Sequence, residues 1–189
     1  GYAERNPEAD VEGHDTCRKI AILTAMATGH EVDYEDIHTE GITSISDVDF
    51  KYAEKMGTSV KLFGSSRIKA GEIHAWVAPV MIGKDHPLYS VSDVFNGILV
   101  KGNMLGTSMF YGSGAGMLPT ASAVIADIIE AVQNRNRHVE MGWDDSRLAI
   151  APTQTSSSRF FIRIKGIAEE RLAEVLKVFG DVTVIELDH

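Results

Sequence analysis

A chain of 189 residues with 44% hydrophobic side chains can build one ordinary domain with a real core, plus a small addition. Its net charge of −9 and pI near 5.2 exclude a polyanionic partner, so neither nucleic acid nor an anionic membrane surface is expected. The single cysteine, Cys17, excludes an internal disulfide framework and fits a reducing cytoplasm, and no apolar run approaches the roughly 20 residues of a membrane span. The chain begins at Gly1 without a charged-then-apolar leader and reads as a piece of a longer polypeptide.

The first nineteen residues, GYAERNPEADVEGHDTCRK, gather five acids (Glu4, Glu8, Asp10, Glu12, Asp15), the Tyr2 hydroxyl and the Arg18-Lys19 pair ahead of an apolar run. Asn6-Pro7 predicts a turn and Gly13 a hinge, and from Asp15 the pattern is helical, which places Asp15 and Lys19 on one face. If the loop bearing Glu4 and Asp10 folds back on that helix, several carboxylates and one ammonium meet in a small volume. Such a cluster suits binding a polar, amine-bearing molecule and moving a proton. The same residues also read as a solvated helix start, because acids favour the positive end of the dipole and an exposed Asp/Lys pair at this spacing contributes about 0.2–0.5 kcal/mol. Lys19 through Ala27 is nearly all apolar. That helix is expected to be buried against a sheet, with Lys19 at its polar entrance and Gly29 as its stop. His14 and Cys17 lack a third ligand, so no metal site is expected, and Arg18 points away from Lys19 as a structural residue.

Residues 30–40 read as an acidic, irregular loop. Ser46 and Asp49 mark the start of a helix that ends at Gly57. Extended segments follow at 60–68, 72–82, 94–100 and 104–111, with a hairpin-type turn at Lys101-Gly102-Asn103. Strands without helices between them predict an antiparallel sheet, in which Pro79 needs an edge or a bulge. His86 reads as a turn residue, with no second metal-type residue at ligand spacing.

The run YGSGAGMLPT then ends a strand and opens a helix whose apolar positions (Ala121, Val124, Ile125, Ile128, Ile129, Val132) keep helical spacing. Glycines ahead of a helix expose backbone N–H groups to a ligand, and they also allow close strand–helix packing. The spacing is G-x-G-x-G, so this is not the dinucleotide fingerprint. Residues 134–158 are polar and read as a linker. A strand at 160–164, an amphipathic helix at 168–179 and a strand at 182–187 close the chain.

Two of these segments carry a family resemblance. The pattern Y-x-E-x-x-P-x-x-D-x-x-G-x-D-x-x-R-K over Tyr2–Lys19 resembles the signature of homoserine dehydrogenases. GSGAGMLPTASAVIADI resembles the glycine-rich segment near the end of their catalytic domain, with Ser113 in place of the usual Pro. EGITSIS, HPLYSV and FNGILVKG stand in the expected order between them, so the resemblance spans about residues 1–135.

The resemblance implies an α+β fold, a mostly antiparallel mixed sheet covered by helices on one face, followed by a short C-terminal β-α-β segment. It divides the chain into a substrate-binding and catalytic domain (1–136), a linker (137–158) and a partial ACT-like segment (159–189) of the kind that senses threonine. It implies interconversion of aspartate 4-semialdehyde and homoserine with NAD or NADP, in threonine and methionine biosynthesis, by a homodimer or higher oligomer. Carried over by position, Lys19 is the proton carrier, and Asp15 orients its amine or also binds substrate. Glu4, Asp10 and Tyr2 bind substrate, and Gly116, with Gly114 and Ala115, contacts the nicotinamide half of the cofactor. The family's nucleotide-binding domain precedes the signature, so this chain alone is expected to be inactive. The alternative reading is a non-catalytic dimerisation or amino-acid-sensing module of the same fold, and a further one is a related dehydrogenase acting on another small aldehyde or alcohol.

Overall fold

A computed structural model describes residues 7–69, 71–137, 142, 144–152, 158–166 and 168–187. Pro7 opens a single helical turn, α1 (Glu8–Val11), and Gly13 swings the chain into α2 (His14–Thr28). Gly13 is left-handed at φ 80°, and a Cβ there would lie 3.0 Å from Val77 Cγ1, so both conformation and space call for glycine. Gly29 ends α2 in the same left-handed conformation, donating its N–H to the Ala25 carbonyl.

The acidic stretch after α2 holds more structure than an irregular loop. Two-residue strands β1 (His30–Glu31) and β2 (His38–Thr39) flank a 3-10 turn at Tyr34–Asp36. Helix α3 (Asp47–Lys55) follows, started by Ser46 and Asp49 as its sequence predicts. Strands β3 (Thr58–Lys69) and β4 (Glu72–Gly83) then pair antiparallel along their whole length, from Thr58↔Gly83 to Lys69↔Glu72. β2 joins β4 in parallel at only two positions, His38↔Trp76 and Thr39↔Val77. It stops short of Pro79, which therefore sits on an open edge, where a missing N–H leaves no ladder bond broken.

The core lies between this sheet and α2. Ile73, Ala75 and Val77 are buried at alternate positions of β4, as a strand with one packed face requires, and meet Cys17 and Ala21 of α2 together with Ile37. Gly64 on β3 lets the helix sit close, because a Cβ there would lie 3.0 Å from both Ile20 Cβ and Thr16 Cγ2. Burying a side chain such as Val77, which is fully enclosed, contributes about 1.5–3 kcal/mol.

Strands β5 (Phe95–Gly102) and β6 (Gly106–Ser113) form a separate hairpin rather than extending the β3–β4 sheet. Helix α4 (Met117–Gln133) follows, and neither it nor the hairpin packs extensively on the α2–sheet body. Within the polar stretch that reads as a linker, β7 (Asp144–Arg147) pairs in parallel with β1, and Ile150 bridges to Ile73. Helix α5 (Ala168–Phe179) forms where expected. The segments on either side of it, 160–164 and 182–187, carry no strand ladder, contrary to expectation. No strand among the described residues stands beside them to satisfy their backbone groups.

Candidate active site

The predicted pair at the start of α2 is formed. Lys19 Nζ lies 2.6 Å from Asp15 Oδ2, across one helical turn. The expected burial of the helix is corrected by the structure, which leaves one stripe of it bare: the Lys19 side chain is 64% exposed and that of Asp15 43%. The reason is helical geometry. Cys17, Ala21, Thr24 and Ala25 form the buried face of α2, whereas Asp15, Lys19, Ile22 and Met26 follow one another along a different stripe. Ile22 is 56% and Met26 64% exposed, so the stripe that begins with the ion pair continues as bare apolar surface.

The segment after β2 pins the loop before α2 and is itself tied to β4. Ile42 N–H donates to the Val11 carbonyl at 2.7 Å, and Glu40 N–H donates to the Val77 carbonyl at 2.8 Å. Gly41 lies so close to α1 that a Cβ would stand 2.5 Å from Glu12 Cα and from the Val11 carbonyl oxygen. Glycine at this position is what lets the segment after β2 clasp the loop that carries Asp10. Gly41 and Ile42 were not singled out by chemistry in the sequence; the signal available was the glycine that follows the acidic run. Asp10 itself is exposed on α1, and among the described residues its carboxylate has no bonding partner. Glu4 and Tyr2, expected in the same pocket, lie outside the described residues.

On the flank of α2 away from the ion pair, Arg18 stands over the Tyr34 ring, 5.9 Å from its centroid. With His14, Cys17 and Thr39 these residues border an open cleft of about 310 Å³. Cys17 is buried there, and its thiol donates to the Tyr34 carbonyl at 3.3 Å. Arg18 thus has a packing role, as the sequence indicates. His86 also has a local role: its Nδ1 accepts the Leu88 N–H at 3.2 Å, and its ring packs on Phe63. Among the described residues, no three His, Cys, Asp or Glu are placed to hold a metal ion.

The glycine-rich loop stands at the foot of α4. Gly116 precedes the helix at φ 115° and ψ 157°, a conformation open to glycine and hardly to any other residue. Gly114 is crowded by Asn96, whose side-chain nitrogen would lie only 1.9 Å from a Cβ. The loop therefore presents bare backbone at a helix N-terminus, a form that admits close approach by a planar or anionic group. Gly114 and Ala115 are exposed and Gly116 half-buried. Since α4 does not pack extensively on α2, this loop and the Asp15–Lys19 pair belong to separate parts of the chain's framework.

Residues 1–129 match the family model for homoserine dehydrogenase. The homoserine dehydrogenase of Synechocystis sp. is 50% identical over 136 residues, which is 70% of this chain and 31% of that protein. A crystal structure of a homoserine dehydrogenase from Thiobacillus denitrificans is similar at a TM-score of 0.72 and 35% identity, covering 79% of this chain and 36% of that one. A hyperthermophilic archaeal homoserine dehydrogenase solved in complex with NADPH is similar at a TM-score of 0.52 and 29% identity, over 70% of this chain and 36% of that one. The chain spans 31% to 40% of the length of the curated relatives it matches most strongly.

Proposed function

The chain belongs to the homoserine dehydrogenase family, and from that premise we propose that it supplies the substrate-binding and proton-transferring part of an enzyme that interconverts aspartate 4-semialdehyde and homoserine. The observation that carries this reading is the Asp15–Lys19 contact of 2.6 Å at the head of a bare stripe of α2. An ion pair followed by exposed Ile22 and Met26 is a surface made to be covered. The part of the relatives' length that this chain does not span is the proposed cover, closing over Lys19.

In the reductive direction the Lys19 ammonium stabilises negative charge as it develops on the aldehyde oxygen, and it delivers the proton that completes the alcohol. In the oxidative direction the Lys19 amine takes that proton from the homoserine hydroxyl. Asp15 holds Nζ in place across one helical turn and compensates its charge. Asp10 and Glu4 are the proposed anchors for the substrate's α-ammonium group, with Tyr2 beside them. The exposed Asp10 carboxylate, free of partners among the described residues, suits that role.

The nicotinamide cofactor, NAD or NADP, supplies the hydride donor or acceptor. Gly114, Ala115 and Gly116 fit contact with its nicotinamide end, because the positive φ of Gly116 and the missing side chains leave backbone open at the N-terminus of α4. The grip on the adenosine and pyrophosphate is assigned to the remaining length of the longer relatives.

Assembly is proposed as a homodimer through the β5–β6 hairpin. Ile98, Val100 and Phe110 share one of its faces and are 42%, 45% and 66% exposed, while a two-stranded sheet alone is marginally stable in water. A threonine-sensing role for the ACT-like segment belongs to the same proposal.

The test is NAD(P)+ reduction with homoserine, measured for this chain alone and for a polypeptide extended upstream through a nucleotide-binding region. Turnover is expected only from the extended form, and it should fall by orders of magnitude with the analogue lacking the amine. Equal turnover with that analogue would favour a dehydrogenase of another substrate. A folded, cofactor-binding, extended form without turnover would favour the non-catalytic sensing module.

A further inference from the structure

Arg163 reaches α3 from a segment more than a hundred residues away in sequence. Its Nε donates to Asp49 Oδ1 at 2.7 Å, and one terminal nitrogen donates to Asp49 Oδ2 and to Ser46 Oγ, each at 3.2 Å. Asp49 is not an ordinary surface acid. It is 6% exposed, and its Oδ2 also accepts the Ser46 N–H at 2.9 Å and the Ser46 hydroxyl at 2.6 Å. The carboxylate that starts α3 is thus the same group that Arg163 grips with its planar fork, the geometry in which arginine binds carboxylate best. Two residues earlier, Phe161 lays its ring against Tyr52 of α3, with centroids 5.5 Å apart.

The backbone around Arg163 contributes nothing comparable. Residues 158–166 belong to no strand, and among the described residues they make no backbone–backbone hydrogen bond. Phe160, Ile162 and Ile164 are 80%, 48% and 46% exposed. A segment without a ladder and with its apolar side chains in solvent is held where its side chains hold it.

We propose that Arg163 and Phe161 form a side-chain latch that docks the C-terminal region on α3, with the Ser46–Asp49 start of that helix as the catch. The latch is reversible by construction, because among the described residues two side chains hold the segment and no sheet must break to release it. It also gives the C-terminal region a defined point of entry into the catalytic body. α3 runs through Gly57 into β3, where the Thr58 hydroxyl donates to the Ala53 carbonyl, and β3 seats α2 at Gly64. A change in the C-terminal region that pulls Arg163 away acts first on the start of α3. The inference stands on these contacts and not on the dehydrogenase reading.

The experiment is limited proteolysis of the 189-residue chain with chymotrypsin, scored by mass for cleavage after Phe160 and Phe161. The Tyr52 ring-proton shifts, recorded by NMR, report on its contact with the Phe161 ring. Arg163→Met leaves the capping pair of Ser46 and Asp49 in place. It should speed cleavage at 160–161 by about tenfold, the scale of a lost charge-assisted hydrogen bond. The Tyr52 shifts should move toward those of a ring without an aromatic neighbour, with cleavage in the β5–β6 hairpin unchanged. Arg163→Lys, which keeps the charge but not the fork, should recover only part of the protection. Unchanged cleavage and unchanged Tyr52 shifts in Arg163→Met would overturn the latch. Acceleration at every site alike would also overturn it, because that would mark a general loss of stability.

Discussion

Single residues decide the chemistry here by where their neighbours leave them. Lys19 lies within 2.6 Å of Asp15 and is open to solvent, so as an isolated surface pair the contact would contribute only a few tenths of a kcal/mol to folding. Its value lies in placement rather than stability. Asp49 is the opposite case, a buried carboxylate whose bonds do stabilise the fold. The Ser46 hydroxyl, then the Ser46 N–H, then Arg163 hold its carboxyl at about 2, below the ordinary 3.8. A depressed carboxyl stabilises the folded state above its unfolded value, and that stabilisation is lost as pH falls through the folded one. Asp49 should therefore contribute in full above about pH 4 and progressively less toward pH 2. Urea midpoints measured from pH 6 to pH 2 should fall more steeply for the natural chain than for Asp49→Asn, which carries no such titration. Parallel curves would show that Asp49 is not linked to folding.

Among the elements, what was legible in the sequence was whatever repeats. The helical pattern from Asp15, the apolar spacing of α4 and the Ser46–Asp49 helix start all read directly from side-chain period and capping chemistry. Strands of two to four residues leave no period to read. β1, β2 and β7 are written in polar residues (His30–Glu31, His38–Thr39, Asp144–Arg147), and they form because a neighbouring strand offers them an edge. The segments at 160–164 and 182–187 show the converse, apolar alternation without an edge to join. The site was legible as residue types and as the Asp15–Lys19 spacing. Its exposure was not, because which stripe of α2 meets the sheet depends on Gly64, a residue 45 positions further on. That glycine yields a prediction at this scale. Gly64→Val places branched methyls against Ile20 and Thr16 and should cost about 1–3 kcal/mol by forcing α2 off β3. Denaturant unfolding measures it, and an unchanged midpoint would show that α2 does not depend on close approach there.

As a whole molecule the chain is a body with unfinished surfaces. The α2 stripe, one face of the β5–β6 hairpin and the apolar side of α4 all meet solvent; Val124, Ile125, Ile128, Ile129 and Val132 on α4 are each more than half exposed. Surfaces of this size and character are covered in a working protein. For the hairpin the proposed cover is a second copy. Sedimentation should show a dimer for the natural chain and a monomer for Phe110→Glu, with unchanged circular dichroism. A monomer in both would assign the hairpin face to another part of a longer polypeptide.

The central claim is that Lys19 carries the proton. It is tested most directly by kcat for homoserine oxidation in the upstream-extended polypeptide, compared with Lys19→Ala. The account predicts a loss of about two to four orders of magnitude in kcat, the scale of general acid–base catalysis, with cofactor binding retained. A variant that turns over at the natural rate would contradict it, leaving the family in place and requiring another residue to move the proton.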